Sequence, residues 1–379
     1  MFLLEHDAKE LLAANAIPVP AGILIHDPDF DAAALPPGPW MVKAQVTAGA
    51  RGKAGLIRAA TTVAELRTHA RELLGRTHAG LAVRACRIEQ QVSAAREAYL
   101  SLMLDASAAS VRLLMAAQGG VEIETLAARP EVVQSALAAP APDAIDQEMR
   151  AAALQLPAQL APALSAAGSR LGQLFLQQEL SLLEINPLFV KADGDWIAGD
   201  AKIVSDDNVL YRQHEQRALL EARRDAYPAA WLKLKHGCDY VVVDPDGEIG
   251  LLTTGAGLSM MLIDELRAAG LKPYNFLDVR TGGLRGEAAR LVSVLDWIAE
   301  GRRVRVLLVN VFAGITDLGE FARLLLEAFA RAPQLKVPVV ARLVGNGLEA
   351  ARPLLAARGI PVVADLEAAL VHVRRHLGS

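Results

Sequence analysis

The chain has 379 residues, 53% of them hydrophobic, and its 39 Lys and Arg against 43 Asp and Glu give a net charge of −4. That composition excludes disorder as a description of the whole chain and argues against a generally basic nucleic-acid binder. Aromatics at 4% leave little surface for stacking bases. The length predicts about two or three domains, and no apolar run reaches the ~18 residues of a membrane span. The longest run, Val304–Ile315, is broken by Arg305 and Asn310 and reads as a buried strand. Glu5, His6, Asp7 and Lys9 stand where the apolar core of a secretory signal would be. Cys86 and Cys238 form neither a CxxC nor a Cys/His zinc spacing. A reducing cytoplasm is the expected compartment, with small molecules or proteins as partners.

In chain order, residues 3–14 read as an amphipathic helix with Leu3, Leu4, Ala8, Leu11 and Leu12 on one face, stopped by Pro18 and Pro20. A strand is predicted at Trp40–Val46, then a glycine-rich loop, a strand at Gly55–Ala60 and a helix at Val63–Leu74. Short strands follow between Ala82 and Met115. The Ala- and Pro-rich stretch Leu137–Ala166 reads as helices with proline breaks. Leu182–Val190 and Trp196–Val204 read as a hairpin across Ala192-Asp193-Gly194. A charged helix, about Asp206–Arg224, leads to a boundary at 225–236. Beyond it, strands at Tyr240–Asp244, Ile249–Thr254, Phe276–Val279, Arg303–Phe312, Val337–Arg342 and Ile360–Val363 alternate with helices. That alternation predicts an α/β domain with a doubly wound parallel sheet. The expected domains are therefore 1–225 and 236–379.

Four constellations carry chemistry. The first runs from Lys43 through Ala50-Arg51-Gly52-Lys53 to Gly55. It is not a Walker A loop, since Thr47 stands at the first glycine and Ala54 at the metal-binding hydroxyl. A strand lysine followed by a cationic, glycine-rich loop suits a lid over phosphates, and it equally suits a mobile hairpin with solvated basic residues. The second is Glu184, Asn186 and Asp200. A three-residue loop ending in Gly194 pairs Lys191 with Asp195, Asn186 with Asp200 and Glu184 with Lys202. The converging oxygens suit Mg²⁺, which takes one or two protein oxygens beside phosphates and water. A plain cross-strand surface pair fits the same pattern. The third, Glu89-Gln-Gln-Val92 with Glu97, reads as a hinge strand facing a ribose diol or as an exposed strand edge. The fourth is a set of three glycine turns after strands, at Thr254–Gly257, Arg280–Gly286 and Phe312–Thr316, where open α/β sheets hold anionic ligands. None of the eight histidines sits in a triad or a metal-ligand pattern.

Together these segments resemble the β subunits of succinyl-CoA synthetases (succinate–CoA ligases, ADP-forming type). The resemblance runs nearly end to end, through Leu4-Glu5 with Ala8-Lys9, the Lys43–Gly55 lid, Gln118–Glu124, Glu184-Ile-Asn-Pro-Leu188, Asp200-Ala-Lys202, Asp207-Asn208, Gly255-Ala-Gly-Leu258, Asn275–Val279 and Asn310-Val-Phe312. It implies an N-terminal ATP-grasp region followed by a flavodoxin-like domain of the CoA-ligase type. It implies that Lys43, Ala50, Arg51 and Gly52 hold the phosphates of ATP. Glu89 and the backbone around Val92 would meet the base, and Glu97 the ribose. Asn186 and Asp200 would bind Mg²⁺, and Glu184 would orient a phosphorylatable histidine. Pro20 matches relatives that prefer ATP to GTP. The implied reaction joins a small carboxylate to CoA with formation of ADP and phosphate, through an acyl phosphate and a phosphohistidine. That histidine and most of the CoA site would belong to a partner α subunit, with neither membrane nor nucleic acid involved.

The departures from the family pattern cluster in the second half. Family members usually carry Asn where Thr254 stands and Gly-Gly-Gly where Arg280-Thr281-Gly282 stands. They carry Gly-Ile-Val-Arg-Cys-Asp, or a near variant, where Gly314-Ile315-Thr316-Asp317-Leu318-Gly319 stands. The carboxylate and phosphohistidine loops, Thr254, Gly314, Ile315 and Thr316 among them, are thus altered while the ATP site is kept. Loss of an arginine and gain of Asp317 would change the local charge balance. Unpaired polar groups discriminate between acids by ~10⁴-fold in some sites, so the acid is left open among succinate, a hydroxy-acid, a sulfonated acid and another carboxylate. Two other readings are an ATP-grasp ligase joining a carboxylate to an amine, and a non-catalytic paralogue serving as an assembly or regulatory subunit. The CoA-ligase-type second half argues against the first. The retained Lys43, Glu184, Asn186 and Asp200 argue against the second.

Overall fold

The computed structural model describes residues 1–120, 133–279, 288–314 and 316–378. The chain divides into two compact units, Met1–Leu219 and Leu220–Ser379. The division falls a few residues ahead of the expected 225–236 boundary, inside a helix. Among the described residues no helix is long and apolar enough to cross a membrane.

The first unit opens with α1 (Glu5–Ala14). Its Leu3, Ala8, Leu11 and Leu12 face is buried as the periodicity predicts, but so are Glu5, Asp7 and Lys9. Strands β1 (Gly22–Ile25), β2 (Trp40–Ala44), β3 (Ile57–Ala60) and β6 (Cys86–Gln90) form an antiparallel sheet in the order β1-β6-β2-β3. Between β3 and β6 lie α2 (Val63–Leu73) and a short hairpin, β4 (Thr77–His78) with β5 (Leu81–Ala82). Thr62 starts α2, its hydroxyl accepting from Glu65 N–H while the Glu65 carboxylate accepts from Thr62 N–H. Side chains alternate across a strand. Val42, Ala44, Cys86 and Ile88 therefore pack with Leu66, Ala70 and Leu73 of α2, while Lys43, Arg87 and Glu89 project from the opposite face.

The larger sheet of this unit comprises β7 (Arg96–Asp105), β8 (Ser110–Ala116), β9 (Val133–Ala138), β10 (Leu180–Val190), β11 (Trp196–Ala198) and β12 (Lys202–Ser205). Its order is β11-β10-β7-β8-β9, with β12 also on β10. The Ala- and Pro-rich stretch becomes α3 (Pro142–Leu154) and α4 (Ala161–Gln177), each with proline in the first turn, where no N–H partner is lost. The hairpin keeps the predicted register: Leu188 faces Ala198 and Glu184 faces Lys202. The predicted continuous strand Trp196–Val204 is instead broken at 199–201. That break has a use, because the Gly199 carbonyl and the Asp200 side chain leave the ladder there.

The helix α5 (His214–Ala222) spans the division between the units, and α6 (Pro228–His236) ends at Gly237, whose φ of 64° lies in the left-handed region that favours glycine. The second unit continues with β13 (Cys238–Val242), β14 (Ile249–Thr253), α7 (Ala256–Ala268), β15 (Asn275–Val279), α8 (Ala289–Ala299) and β16 (Val306–Ala313). It closes with α9 (Leu318–Arg331), β17 (Val339–Gly345), α10 (Leu348–Ala356), β18 (Val362–Val363) and α11 (Leu366–Leu377). Strands β14-β16-β17-β18 form a parallel sheet. Leu251, Leu308 and Val340 pack with α7 and α11, and Leu252, Leu307 and Val309 with α8 and α9, so helices cover both faces. Two of the six predicted strands lie outside that sheet. Strands β13 and β15 form a separate antiparallel pair. The Asn275 side chain links β15 to β14: its Oδ1 accepts from Leu251 N–H at 2.9 Å and its Nδ2 donates to Leu251 O at 2.8 Å. Hydrophobic alternation identifies a strand but not its direction, so the sequence pattern does not separate the two arrangements.

Candidate active site

The first unit carries a buried ionic cluster built from five segments. Lys43 of β2 donates to Glu5 Oε1 at 2.8 Å and to Gly199 O at 3.0 Å, and its Nζ lies 2.7 Å from Glu89 Oε1. Lys9, one turn after Glu5 on α1, donates to Glu5 Oε1 and Glu89 Oε2 at 2.7 Å each and to Gly199 O at 2.8 Å. Arg87 Nε donates to Glu89 Oε2 at 2.8 Å, and its Nη2 to Pro20 O at 2.8 Å. From the lid, Arg51 Nη2 grips both oxygens of Asp200 at 3.0 and 2.8 Å, and Nη1 donates to Ala44 O at 3.1 Å. Arg51 Nη1 also lies 2.7 Å from Glu5 Oε2, in ion-pair contact.

Burial alone would raise the Glu5 carboxyl, but Lys43, Lys9 and Arg51 overcome it and hold it well below the usual carboxylate range. Burial alone would depress the Lys43 ammonium, yet Glu5, Glu89 and Asp200 raise it above the ordinary lysine range. Lys9 goes the other way: burial lowers it despite Glu5, and the charge of Lys43 adds to the shift. For Asp200, burial and then the Glu5 carboxylate push the group up, against the pull of Arg51. All three Lys43 donors are engaged, so a phosphate oxygen would take the place of a partner already present.

Lys43, Arg51 and Asp200 converge as one group. Ala50, with φ 59°, and Gly52 form the turn that carries Arg51, closed by Ala54 N–H to Ala50 O at 3.1 Å. A side chain at Gly52 would meet no protein atom within 4 Å, so that backbone is open to a ligand. Asn186 lies on β10, and its Oδ1 accepts from Gly120 N–H at 2.7 Å, while Asp200 lies in the break between β11 and β12. Among the described residues no group of three or more His, Cys, Asp or Glu side chains could hold a metal. One amide and one carboxylate oxygen are the donor types that suit a magnesium ion carried mainly by phosphate oxygens and water, provided Arg51 releases Asp200. Glu184 is half-buried on β10, between Lys202 and Ser101.

Glu89 is not on an exposed edge, because β6 is an interior strand and Glu89 is 2% exposed. Both its oxygens are engaged by Lys9, Lys43 and Arg87, so its side chain supports the lysines. Val92 lies in the following loop, half-buried, and Glu97 is exposed at the start of β7, beside Gly120. The sequence reading passed over Glu5, Lys9 and Arg87 as site residues. The available signal was four charged residues, Glu5, Asp7, Lys9 and Glu10, in the first two turns of a helix otherwise patterned for burial.

Gly199 brings the two lysines together through its carbonyl. An added Cβ would lie 2.8 Å from Pro187 O and closer still to the Phe189 ring. Gly199→Ala is expected to cost about 1–3 kcal/mol of stability, read as a lowered urea midpoint. A wild-type midpoint would show that this approach is not tight.

In the second unit, Thr254 and Gly314 follow β14 and β16, which are parallel neighbours, and so share one sheet edge. Gly255 N–H donates to Asp278 Oδ1 at 2.7 Å, while Ser259 Oγ donates to Thr253 Oγ1 at 2.7 Å beneath the turn. Thr254 Oγ1 is buried without a hydrogen-bond partner among the described residues. Thr316 precedes Asp317, which caps α9 by accepting from Glu320 N–H at 2.9 Å. Asp317 also packs against Gly347, so its carboxylate serves as a helix cap at this sheet edge. Ile315, the Arg280–Gly286 turn and residues 121–124 of the Gln118–Glu124 motif lie outside the described residues.

Comparison with known proteins agrees with this division. Residues 2–190 match the ATP-grasp domain family and residues 252–374 the CoA-ligase family. The chain is 38% identical over 368 residues to the succinate–CoA ligase [ADP-forming] subunit beta of Chloroflexus aurantiacus, covering 94% of this chain and 93% of that one. It is 38% identical over 379 residues to the protein of the same name from Thioalkalivibrio sulfidiphilus, covering 96% of each. In fold it is similar to the ATP citrate lyase of Methanothrix soehngenii, with a TM-score of 0.71 and 18% identity over 95% of each chain. An ATP-grasp unit followed by a CoA-ligase unit, matched nearly end to end, identifies the chain as a member of the β-subunit family of ADP-forming succinate–CoA ligases.

Proposed function

We propose that this chain is the nucleotide-handling subunit of an ADP-forming acyl-CoA synthetase, working with an α subunit that supplies a phosphorylatable histidine and most of the CoA site. The observation that carries the reading is the convergence of Lys43, Arg51 and Asp200 from β2, the lid and the hairpin break. The chemistry is carboxylate + CoA + ATP ⇌ acyl-CoA + ADP + phosphate. A carboxylate is a poor acyl donor, and conversion to an acyl phosphate supplies a leaving group. Lys43 and the Ala50–Gly52 backbone bind the nucleotide phosphates. Arg51 exchanges Asp200 for phosphate oxygens and neutralises charge on the transferring group. Asn186 and Asp200 hold Mg²⁺, whose part is to neutralise phosphate charge. Glu184 orients the partner's histidine, while Val92 and Glu97 serve the base and ribose.

The acid is a small carboxylate, with Thr254, Gly314, Ile315 and Thr316 as the residues that choose it. Co-expression with an α-like chain, followed by a screen for CoA- and carboxylate-dependent ADP release, tests the proposal. Amine dependence without CoA would favour a carboxylate–amine ligase. A formed complex inert towards every acid would favour a non-catalytic paralogue. Thr254→Val is expected to leave the melting temperature of the second unit unchanged or higher, since no protein hydrogen bond is lost among the described residues. The ranking of acids in the screen should change. An unchanged ranking would remove Thr254 from the specificity residues.

A further inference from the structure

We infer that Glu5 is the shared counter-ion of Lys43 and Arg51 and sets the charge of the cluster so that it selects magnesium-complexed nucleotide over the free tetra-anion. The inference rests on the nucleotide reading proposed above. Glu5 comes from α1, well outside the lid and the hairpin, yet it ion-pairs both cations expected to meet phosphate, at 2.8 Å to Lys43 and 2.7 Å to Arg51. Its Oε1 also takes Lys9 at 2.7 Å. It is 4% exposed, so water does little to screen these contacts. Its Oε2 meets Arg51 Nη1 alone, whereas Asp200 presents both oxygens to Nη2.

The charge arithmetic gives this position its consequence. Lys9, Lys43, Arg51 and Arg87 are four cations against Glu5, Glu89 and Asp200, a net charge of +1. Glu10, which faces Arg87 at 3.5 Å, is largely exposed and is left out of the sum. Neutralising Glu5 makes the cluster doubly positive. Coulomb energy scales with the product of charges, so the added charge attracts the free tetra-anion about twice as strongly as the dianionic magnesium complex. It also repels the incoming metal. Arg51, left with Asp200 as its one anionic partner among the described residues, competes harder for the carboxylate that the metal would need.

The test is calorimetric titration of the full chain with ATP in EDTA and with ATP in excess magnesium, for wild type and three variants. The quantity read is the ratio of the two dissociation constants, free ATP over Mg·ATP. Glu5→Gln is expected to lower this ratio roughly five- to tenfold. Lys9→Met makes the opposite change in charge and is expected to raise it. The double variant Glu5→Gln/Lys9→Met restores the net charge, and its ratio should return to within about twofold of wild type. A general loss of structure would weaken both forms of the nucleotide alike and leave the ratio in place. Melting curves identify the folded variants, and should Glu5→Gln not fold, Lys9→Met decides by the direction of its shift. A ratio that stays constant, or moves the same way for both single variants, overturns the inference while the nucleotide reading survives. A folded wild-type chain that takes up no nucleotide in either medium overturns both.

Discussion

Asp200→Asn is expected, on the reading proposed above, to lower magnesium-dependent phosphorylation of a partner histidine by at least ~10²-fold, the usual scale for removing one charge-stabilising contact from a reacting centre. Asp200 occupies a break between two short strands, where its Oδ1 accepts from Ala201 N–H at 2.7 Å and its carboxylate takes the Arg51 guanidinium. The amide keeps a carbonyl oxygen for Ala201. It loses the negative charge that draws first Arg51 and then, on the proposed reading, the metal. Arg51 keeps Glu5 and Ala44 O as partners, so the fold should survive and the melting curve should stay close to wild type. Incorporation of labelled γ-phosphate into the assembled complex measures the effect. Unchanged incorporation would remove Asp200 from the metal set, and a collapsed melting curve would show a structural role instead.

Glu89→Gln is expected to be the most destabilising single change in the first unit. Three buried cations share this carboxylate, Lys9 and Lys43 at 2.7 Å and Arg87 at 2.8 Å. Breaking a buried ion pair by removing one partner typically costs about 3–5 kcal/mol, because the remaining charge stays buried without compensation. For a unit of this size that corresponds to a fall in melting temperature of roughly 6–20 °C. Lys9→Met provides the contrast. It takes a cation from a cluster that already has one cation in excess, and it should cost far less despite equal burial. If the two variants lose the same stability, packing volume and not charge holds this face of the sheet together. Stability from the Glu5 carboxylate has a defined pH window. Its folded pKa is depressed, so the contribution is complete above the unfolded carboxylate value of about 4.3. It is lost as pH falls through the lowered folded value.

Arg51 links the two chemical roles. Its guanidinium fills the space in front of Asp200 with positive charge. On the proposed reading, Asp200 would hold magnesium only once phosphate oxygens draw Arg51 away, so that the carboxylate would not be left bare in a buried site.

The sequence by itself determined the elements and the hairpin. Apolar spacing is enough to place α1, α2 and α9, and strand alternation with a glycine-closed turn fixed Glu184 opposite Lys202. These features depend on neighbours a few residues apart, and local pattern records them. The tertiary structure alone decided the antiparallel pairing of β13 with β15, the use of Asp317 as a helix cap and the burial of Glu5, Lys9 and Glu89. A charged side chain in a helix or strand is at home in water unless distant charges meet it. Here those charges arrive from 38 residues away at Lys43, 80 at Glu89 and, for the Gly199 carbonyl that receives Lys9, 190. No periodicity carries that information, because what stabilises the cluster is the simultaneous desolvation and mutual neutralisation of groups that only the folded chain brings together.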